Sequence, residues 1–385
     1  MTDGWLVLAH EATNSGAPRM LLEVLRGVRA ARGPDWRCEI LLDHGGPLAE
    51  ELAALGPVQR LTPPWAEGMA PLARSLRALV DRPWLKPRRL RRAVRTWQAR
   101  GGGVIYSNTA TNGRLLAELP AAAGPVITHV HELEYSLQRF NRPRDLAATL
   151  ARTDLFLAVS TAVAADLRAR GVPAARVKVV PNFLPVLPAW PDVFAAHAEV
   201  CRRLRLAPET RLITGCGHID PLKGTDLFVD VVKQVAASTA EPVAGVWLGG
   251  DIDRHFAQKV RSAAGGCMHF TGEVPDPALY FAASEVVAVT SRVESFSRVA
   301  LEAAALGRPV LAYAAARGPA DLLPAEALIT ELSAEAMAAA VTSVLADPAG
   351  SRRQGEALRR CVAGGFLAEH WIGRLLDVVA EVGRG

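Results

Sequence analysis

Two glutamates eight residues apart, Glu294 and Glu302, stand in the stretch SRVESFSRVALEAAALGRPVLAY. A carboxylate accepts paired hydrogen bonds from neighbouring hydroxyls, so two of them can grip separate polar parts of one elongated ligand. If both were helical they would lie roughly 80° apart at about 100° per residue. The pattern instead suits a loop carrying Glu294 and a helix carrying Glu302. Ser295, Phe296 and Ser297 fall at the start of that helix, where backbone amides lack intrahelical partners and can face an anion. The plainer alternative is helix solubility with a capping role for the loop.

A second group of residues follows an apolar run in RLITGCGHIDPLKGTD. Gly215 and Gly217 come after the strand pattern, and Lys223 precedes Gly224 and a helix pattern. A lysine there can reach toward phosphate oxygens, and Thr225 or Asp226 can start the helix. His218 can face the same anion, although an ordinary loop histidine or surface lysine would read the same way. Near the N-terminus, WLVLA leads into HEATNSGAPRM, which places Gly16 at the start of the first helix. Its small size allows a phosphate to come close, and a simple turn is the competing reading. At the end of PVITHV, His131 sits at the mouth of a strand and is followed by Glu132 and Glu134, which can recognise a polar or cationic group.

These residues need a scaffold that presents strand ends. WLVLA, EILL, GVIYS and PVITHV alternate with helical patterns, the clearest running through Met20, Leu21, Val24, Leu25 and Val28. Such alternation predicts parallel sheets covered by helices. DLFLAV and VKVV continue the first series, with Ser160 or Thr161 capping a helix that Gly171 ends. PNFLPVLPAWP is too proline-rich for regular structure. The series restarts with RLITG, VAGVWLGG, MHFTG, EVVAVTS and PVLAY. The expected plan is an N-terminal α/β domain over 1–184, a linker over 185–191, a second α/β domain over 192–365, and a C-terminal helix over 366–385 able to pack across the cleft. Trp371, Leu375, Leu376 and Val379 form that helix's apolar stripe.

Together these motifs resemble the retaining GT-B-type glycosyltransferases of family four. TGCGHIDPLKG and SRVESFSRVALEAAALGRPVLAY carry most of the likeness, through two glutamates separated by seven residues, a small-residue helix and GRPV. SGAPRM, HVHE, VSTAV, PN after VKVV, and FLAEHW match less specifically. The resemblance implies two facing Rossmann-like domains, with a UDP- or GDP-sugar donor held by the second and a hydroxyl-bearing carbohydrate, lipid-linked glycan or small-molecule acceptor selected by the first. It implies that Glu294 and the Ser295–Ser297 amides hold the donor sugar, that Glu302 holds the ribose, and that Gly16, Gly217 and Lys223 serve the diphosphate. His131 would lie near the reacting sugar, with Glu132 and Glu134 on the acceptor side. Where the family carries an arginine before this lysine, the chain has His218, whose charge is conditional near neutral pH. Protonation of a phosphate-contacting His218 should strengthen donor binding, an effect that His218→Gln would abolish. The nucleotide-sugar is a substrate, and no cofactor or metal is expected.

Competing chemistries find less support. His129 and His131 share one side of an extended strand, yet no third ligand accompanies them. The acids of GGDIDRHF fall where a helix opens, a common place for acids. There is no GxGxxG or GxxxxGK[ST] fingerprint. A noncatalytic nucleotide-sugar or carbohydrate-binding protein is the alternative from another class. The 385 residues, half of them hydrophobic, suffice for two domains, and the formal charge of +5 from 44 basic and 39 acidic residues does not call for nucleic acid. Five scattered cysteines and no secretory or bilayer-length apolar run lead to the expectation of a cytoplasmic protein. DRPWLKPRRLRRAVRTWQAR sets Leu90, Val94 and Trp97 against Arg88, Arg89, Arg92 and Arg95. That helix packs on the sheet or rests on an anionic membrane at the cytoplasmic face of the inner membrane. Oligomeric state is not encoded legibly.

Overall fold

A computed structural model describes residues 4–62 and 85–382. Asp81, Arg82, Pro83 and Trp84, which open the basic stretch, lie outside the described residues. The chain divides into two compact units: Val186–Leu367 is one, and the chain before it together with Ala368 onward is the other.

The first unit is built on a seven-stranded parallel sheet of β1 (Trp5–Ala9), β2 (Cys38–Leu42), β3 (Val58–Arg60), β4 (Val104–Ser107), β5 (Val126–Val130), β6 (Leu155–Ala158) and β7 (Val177–Val179). Its order is β3-β2-β1-β4-β5-β6-β7. Strands β1, β4, β5 and β6 are buried along their whole length, as a parallel sheet covered on both faces requires. The order reverses between β1 and β4, and ligands in open α/β sheets collect beyond the strand ends at such a reversal.

Helix Gly16–Arg32 buries Met20, Leu21, Val24, Leu25 and Val28 against this sheet, the stripe expected from their spacing. Helix Leu85–Ala99 places Leu90, Val94 and Trp97 in the core on the other face, leaving Arg88, Arg92 and Arg95 exposed. Ser160 caps helix Thr161–Ala169 by accepting from the Val163 amide. Helix Ala368–Val382 comes last in the chain, yet it packs on the first unit through Ile372, Leu375 and Val379. Gly27 makes that contact possible, because a Cβ there would lie 2.4 Å from Ile372 Cδ1.

The second unit has a six-stranded parallel sheet of β8 (Arg211–Cys216), β9 (Val243–Leu248), β10 (Met268–Gly272), β11 (Val286–Val289), β12 (Val310–Tyr313) and β13 (Leu328–Ile329). The order β10-β9-β8-β11-β12-β13 puts its reversal between β8 and β11. Residues 186–191, most of the expected linker, belong to this unit. Arg359 donates to the carbonyls of Ala305 and Pro188, and its guanidinium lies 4.3 Å over the Trp190 ring. A charge that is nearly buried thus gains two carbonyl acceptors and an aromatic face, and it ties the proline-rich segment down.

Candidate functional site

In the second unit the two loops at the sheet reversal interlock. Gly217 follows β8 at φ +147, and a Cβ on it would come 3.1 Å from Lys223 Cγ. The lysine stem therefore lies across bare backbone. The Lys223 amide donates to Asp220 Oδ1 at 2.8 Å. Gly224 caps helix Thr225–Ser238 in the left-handed region, where a Cβ would lie 2.0 Å from the Thr290 carbonyl. No other residue fits there. Thr290, just past β11, returns its hydroxyl to the Gly224 and Lys223 carbonyls at 3.0 and 3.2 Å.

This interlock brings Lys223 and Glu294 together, with Nζ 2.7 Å from Oε2. Ser291 Oγ donates to the same oxygen at 3.1 Å. The Glu294 backbone is held as firmly. Its amide donates to Ala316 O, and its carbonyl accepts from the Gly318 amide at 2.9 Å. A Cβ at Gly318 would strike that carbonyl at 2.3 Å. The preceding residue, Arg317, takes φ +68, a conformation costly for a residue other than glycine and kept only where the surroundings enforce it. Burial works against the Lys223 ammonium, but the adjoining Glu294 carboxylate outweighs it and raises the lysine above its ordinary pKa. Side-chain exposures of 30% and 12% leave the pair open to a ligand from the lysine side.

Helix Arg298–Ala305 begins at Ser297, whose Oγ accepts from the Ala300 amide. Ser297 is almost fully buried and Phe296 is turned inward against Phe366, so both meet a ligand chiefly through backbone. Ser295 is half-buried beside them. Glu302 lies on the helix as expected, and its Oε1 accepts from Arg298 Nε at 2.7 Å. Arg298 orients the carboxylate from one turn away. His218 is half-buried next to Gly217. Thr290, Ser291, Arg298 and Gly318 escaped the sequence reading. Only RGP held a signal, since glycine before proline marks a turn.

In the first unit, Gly16 opens helix Gly16–Arg32 on the loop after β1, and it is exposed with nothing within 4 Å of a Cβ. Packing does not demand glycine at this position. His131 follows β5, its ring 4.4 Å from that of His129. His129 is fully buried. Its Nδ1 accepts from the Tyr106 hydroxyl at 2.7 Å and its Nε2 faces the Val180 carbonyl at 3.4 Å. Burial lowers its pKa to about 4, so it is neutral. Burial and then the neighbouring His129 push His131 well below the usual histidine range. His131 Nε2 is buried without a protein partner, so this ring meets a ligand as a neutral imidazole.

Glu132 accepts from Thr109 Oγ1, the Ala110 amide and the His131 amide. Burial raises its pKa against the pull of those donors. Glu134 pairs through both oxygens with Arg170 at 2.6 Å, and its amide donates to Asp166. These two glutamates thus hold the loop after β5 to its neighbours. The acids of GGDID are likewise engaged, Asp251 with Arg261 and Asp253 as cap of helix Arg254–Ala263. No group of three metal-ligating side chains occurs among the described residues.

The family model described as Glycosyltransferase Family 4 matches residues 15–186, and that described as Glycosyl transferases group 1 matches residues 210–347. The chain belongs to glycosyltransferase family four. Over 177 residues it is 33% identical to a D-inositol 3-phosphate glycosyltransferase of Xylanimonas cellulosilytica, covering 43% of this chain and 42% of that protein. A lipopolysaccharide core biosynthesis mannosyltransferase of Rhizobium leguminosarum is 31% identical over 169 residues, covering 41% and 48%. The chain thus spans less than half the length of these curated relatives. Among solved structures, the Anabaena HepE complex with UDP and glucose superposes with a TM-score of 0.80 at 19% identity, over 98% of this chain and 99% of that one. Sucrose-phosphate synthase of Thermosynechococcus elongatus gives 0.74 at 21% identity, over 99% of each. The two-unit fold of this family-four chain is the GT-B fold of those structures.

Proposed function

We propose that this family-four chain is a retaining, metal-independent glycosyltransferase that moves a sugar from a nucleotide-diphosphate donor to an acceptor hydroxyl. The observation that carries the reading is the Lys223–Glu294 pair at 2.7 Å, set where β8 and β11 part. Breaking a sugar–phosphate bond builds negative charge on the departing diphosphate. An ammonium fixed beside the amides of a helix start opposes that charge. A diphosphate competes with Glu294 for Lys223 and frees the carboxylate to accept from donor-sugar hydroxyls. Glu302, held by Arg298, is suited to accept from the ribose hydroxyls, and Gly217, His218 and the Ser295–Ser297 backbone complete the donor contacts. Lys223 supplies the positive charge that a metal ion supplies in other transferases.

In the first unit, Gly16 offers an uncrowded amide to a donor phosphate, and His131 a neutral hydrogen-bonding ring to the reacting groups. Glu132 and Glu134 shape that loop rather than present free carboxylates. Same-face substitution accounts for retention, with the leaving phosphate taking the acceptor proton and no covalent glycosyl intermediate. UDP-sugars are the first donors to try, since the Anabaena structures hold UDP or UDP-glucose, and GDP-sugars are the second. A screen of both against glycoside acceptors, by mass spectrometry with and without EDTA and with the product anomer assigned by NMR, tests the reading. An inverted product, or activity lost on chelation, would refute the corresponding part.

Among the described residues no helix is long and apolar enough to cross a membrane. Because Leu90, Val94 and Trp97 are already in the core, contact of helix Leu85–Ala99 with an anionic membrane would be electrostatic, through its arginine face. Co-sedimentation with anionic but not neutral liposomes, reversed by salt, is the expected outcome.

A further inference from the structure

The ends of β1 and β2 carry a polar cluster that none of the roles above uses. Beyond the last strand residues the two chains stay paired: the Asp43 amide donates to Ala9 O and the His44 amide to His10 O, each at 2.9 Å. The loops then fasten to one another, with Leu48 N donating to Ala12 O at 2.9 Å. Gly46 lies so close that a Cβ would come 2.2 Å from the Ala12 carbonyl. His10, Asp43 and His44 are consequently fixed in a rigid surface, on the same β1 loop that leads to Gly16.

Within it, Asp43 Oδ1 accepts from Lys86 Nζ at 2.9 Å and from Thr62 Oγ1 at 3.0 Å. That triad fastens helix Leu85–Ala99 to the sheet and accounts for Lys86 and Thr62. It does not account for the histidines. Their rings meet edge to face at 5.7 Å. His44 Nε2 is 3.7 Å from Asp43 Oδ2, too far for a hydrogen bond, and the His44 side chain is 37% exposed. The His44 ring thus faces outward, beside a half-buried His10 ring and the largely buried Asp43 carboxylate, so that an acceptor oxygen is flanked by groups that both donate and accept.

We propose that His10, Asp43 and His44 form an acceptor subsite that takes adjacent hydroxyls of an uncharged sugar unit. The proposal rests on the transferase reading above and deepens it by naming the acceptor class. Charge decides the class. Asp43 and Glu11 are carboxylates, and the one nearby ammonium, Lys86, is already paired to Asp43. Burial lowers the His10 pKa, with Glu11, His44, Asp43 and Lys86 all close enough to act on it. Among the described residues, a phosphate or carboxylate on the acceptor would meet net negative charge, with Lys86 already paired to Asp43. Sugar hydroxyls match the mixed donors and acceptors.

Saturation-transfer NMR with methyl α-glucopyranoside, methyl α-mannopyranoside and glucose 6-phosphate reads the subsite without any need for turnover. At least one neutral glycoside should show transfer, the phosphate should not, and His44→Ala and His10→Ala should each weaken the neutral glycoside about tenfold, the loss of one good hydrogen bond. His44→Gln should recover part of the loss, and thermal unfolding of each variant checks that it folds. In a transfer assay the same change should fall on acceptor KM, with donor KM moving less than twofold. Absence of glycoside binding, tighter binding of the phosphate, or unchanged affinity in both alanine variants would each overturn the subsite. If glycosides bind as described but no donor supports transfer, the transferase reading fails and the subsite stands.

Discussion

The loops at the second unit's sheet reversal and the loop beyond β5 in the first unit differ in their electrostatics. In the second unit the site is ionic: Lys223 and Glu294 face each other in a partly open setting, and Glu302 pairs with Arg298. In the first unit the groups beyond β5 are either neutral or already bonded, with His129 and His131 uncharged and Glu132 and Glu134 engaged in the loop. The difference suits the reaction proposed. A diphosphate leaving group needs fixed charge, whereas an acceptor hydroxyl needs shape and hydrogen bonds.

The strongest attack on this contrast is Lys223→Ala or Glu294→Ala, each of which should lower kcat/KM by about a hundredfold or more. Since the two act as one unit, the double variant should lose little more than the worse single one. Additive losses in steady-state kinetics would mean that they act separately. The neutral character of the first unit can be tested by pH. His129 titrates near 4 when folded against an ordinary value of about 6.5, so the unfolded state binds the proton more readily. Stability is complete above about 6.5 and falls as pH drops toward 4, by roughly 2–3 kcal/mol. Urea unfolding at pH 7.5 and 4.5 should show at least that loss, and His129→Gln should reduce it, the buried His131 contributing the remainder. A wild-type protein equally stable at both pH values would contradict the neutral assignment.

Next in size, His131→Ala should lower kcat by roughly tenfold to a hundredfold. Its contribution should stay constant from pH 6 to 8, because the ring does not titrate there. A step in the wild-type to variant ratio across that range would show a ring that changes charge. The smallest effect belongs to Gly16→Ala. Its Cβ enters open space, so the thermal midpoint should hold or rise slightly as a helix-start glycine is replaced. Donor KM should nevertheless increase by about tenfold, and an unchanged KM would remove Gly16 from the donor contacts.

How well each crevice could be read from sequence follows from the same contrast. Lys223, Glu294 and Glu302 stand out because glycines and charges interrupt apolar runs at fixed spacing. Most long strands were legible as unbroken apolar stretches. Two edge strands were not: Val58–Arg60 has two polar residues of its three, and Leu328–Ile329 is only two residues long. Nor was the assignment of residues 186–191 legible, since it depends on Arg359 arriving from a distant helix to meet Pro188 and Trp190.

By itself, then, the sequence determined the alternation of strands and helices, the glycine turns, and the candidate donor residues, all of which express local preference and hydrophobic spacing. Tertiary structure alone decided which side chains meet. It set Lys223 against Glu294, placed His129 beneath His131, bound Glu134 to Arg170, and brought the last helix onto Gly27 of the first. Charge, burial and hydrogen bonding depend on distances between residues far apart in the chain, and those distances exist only once the sheets have formed.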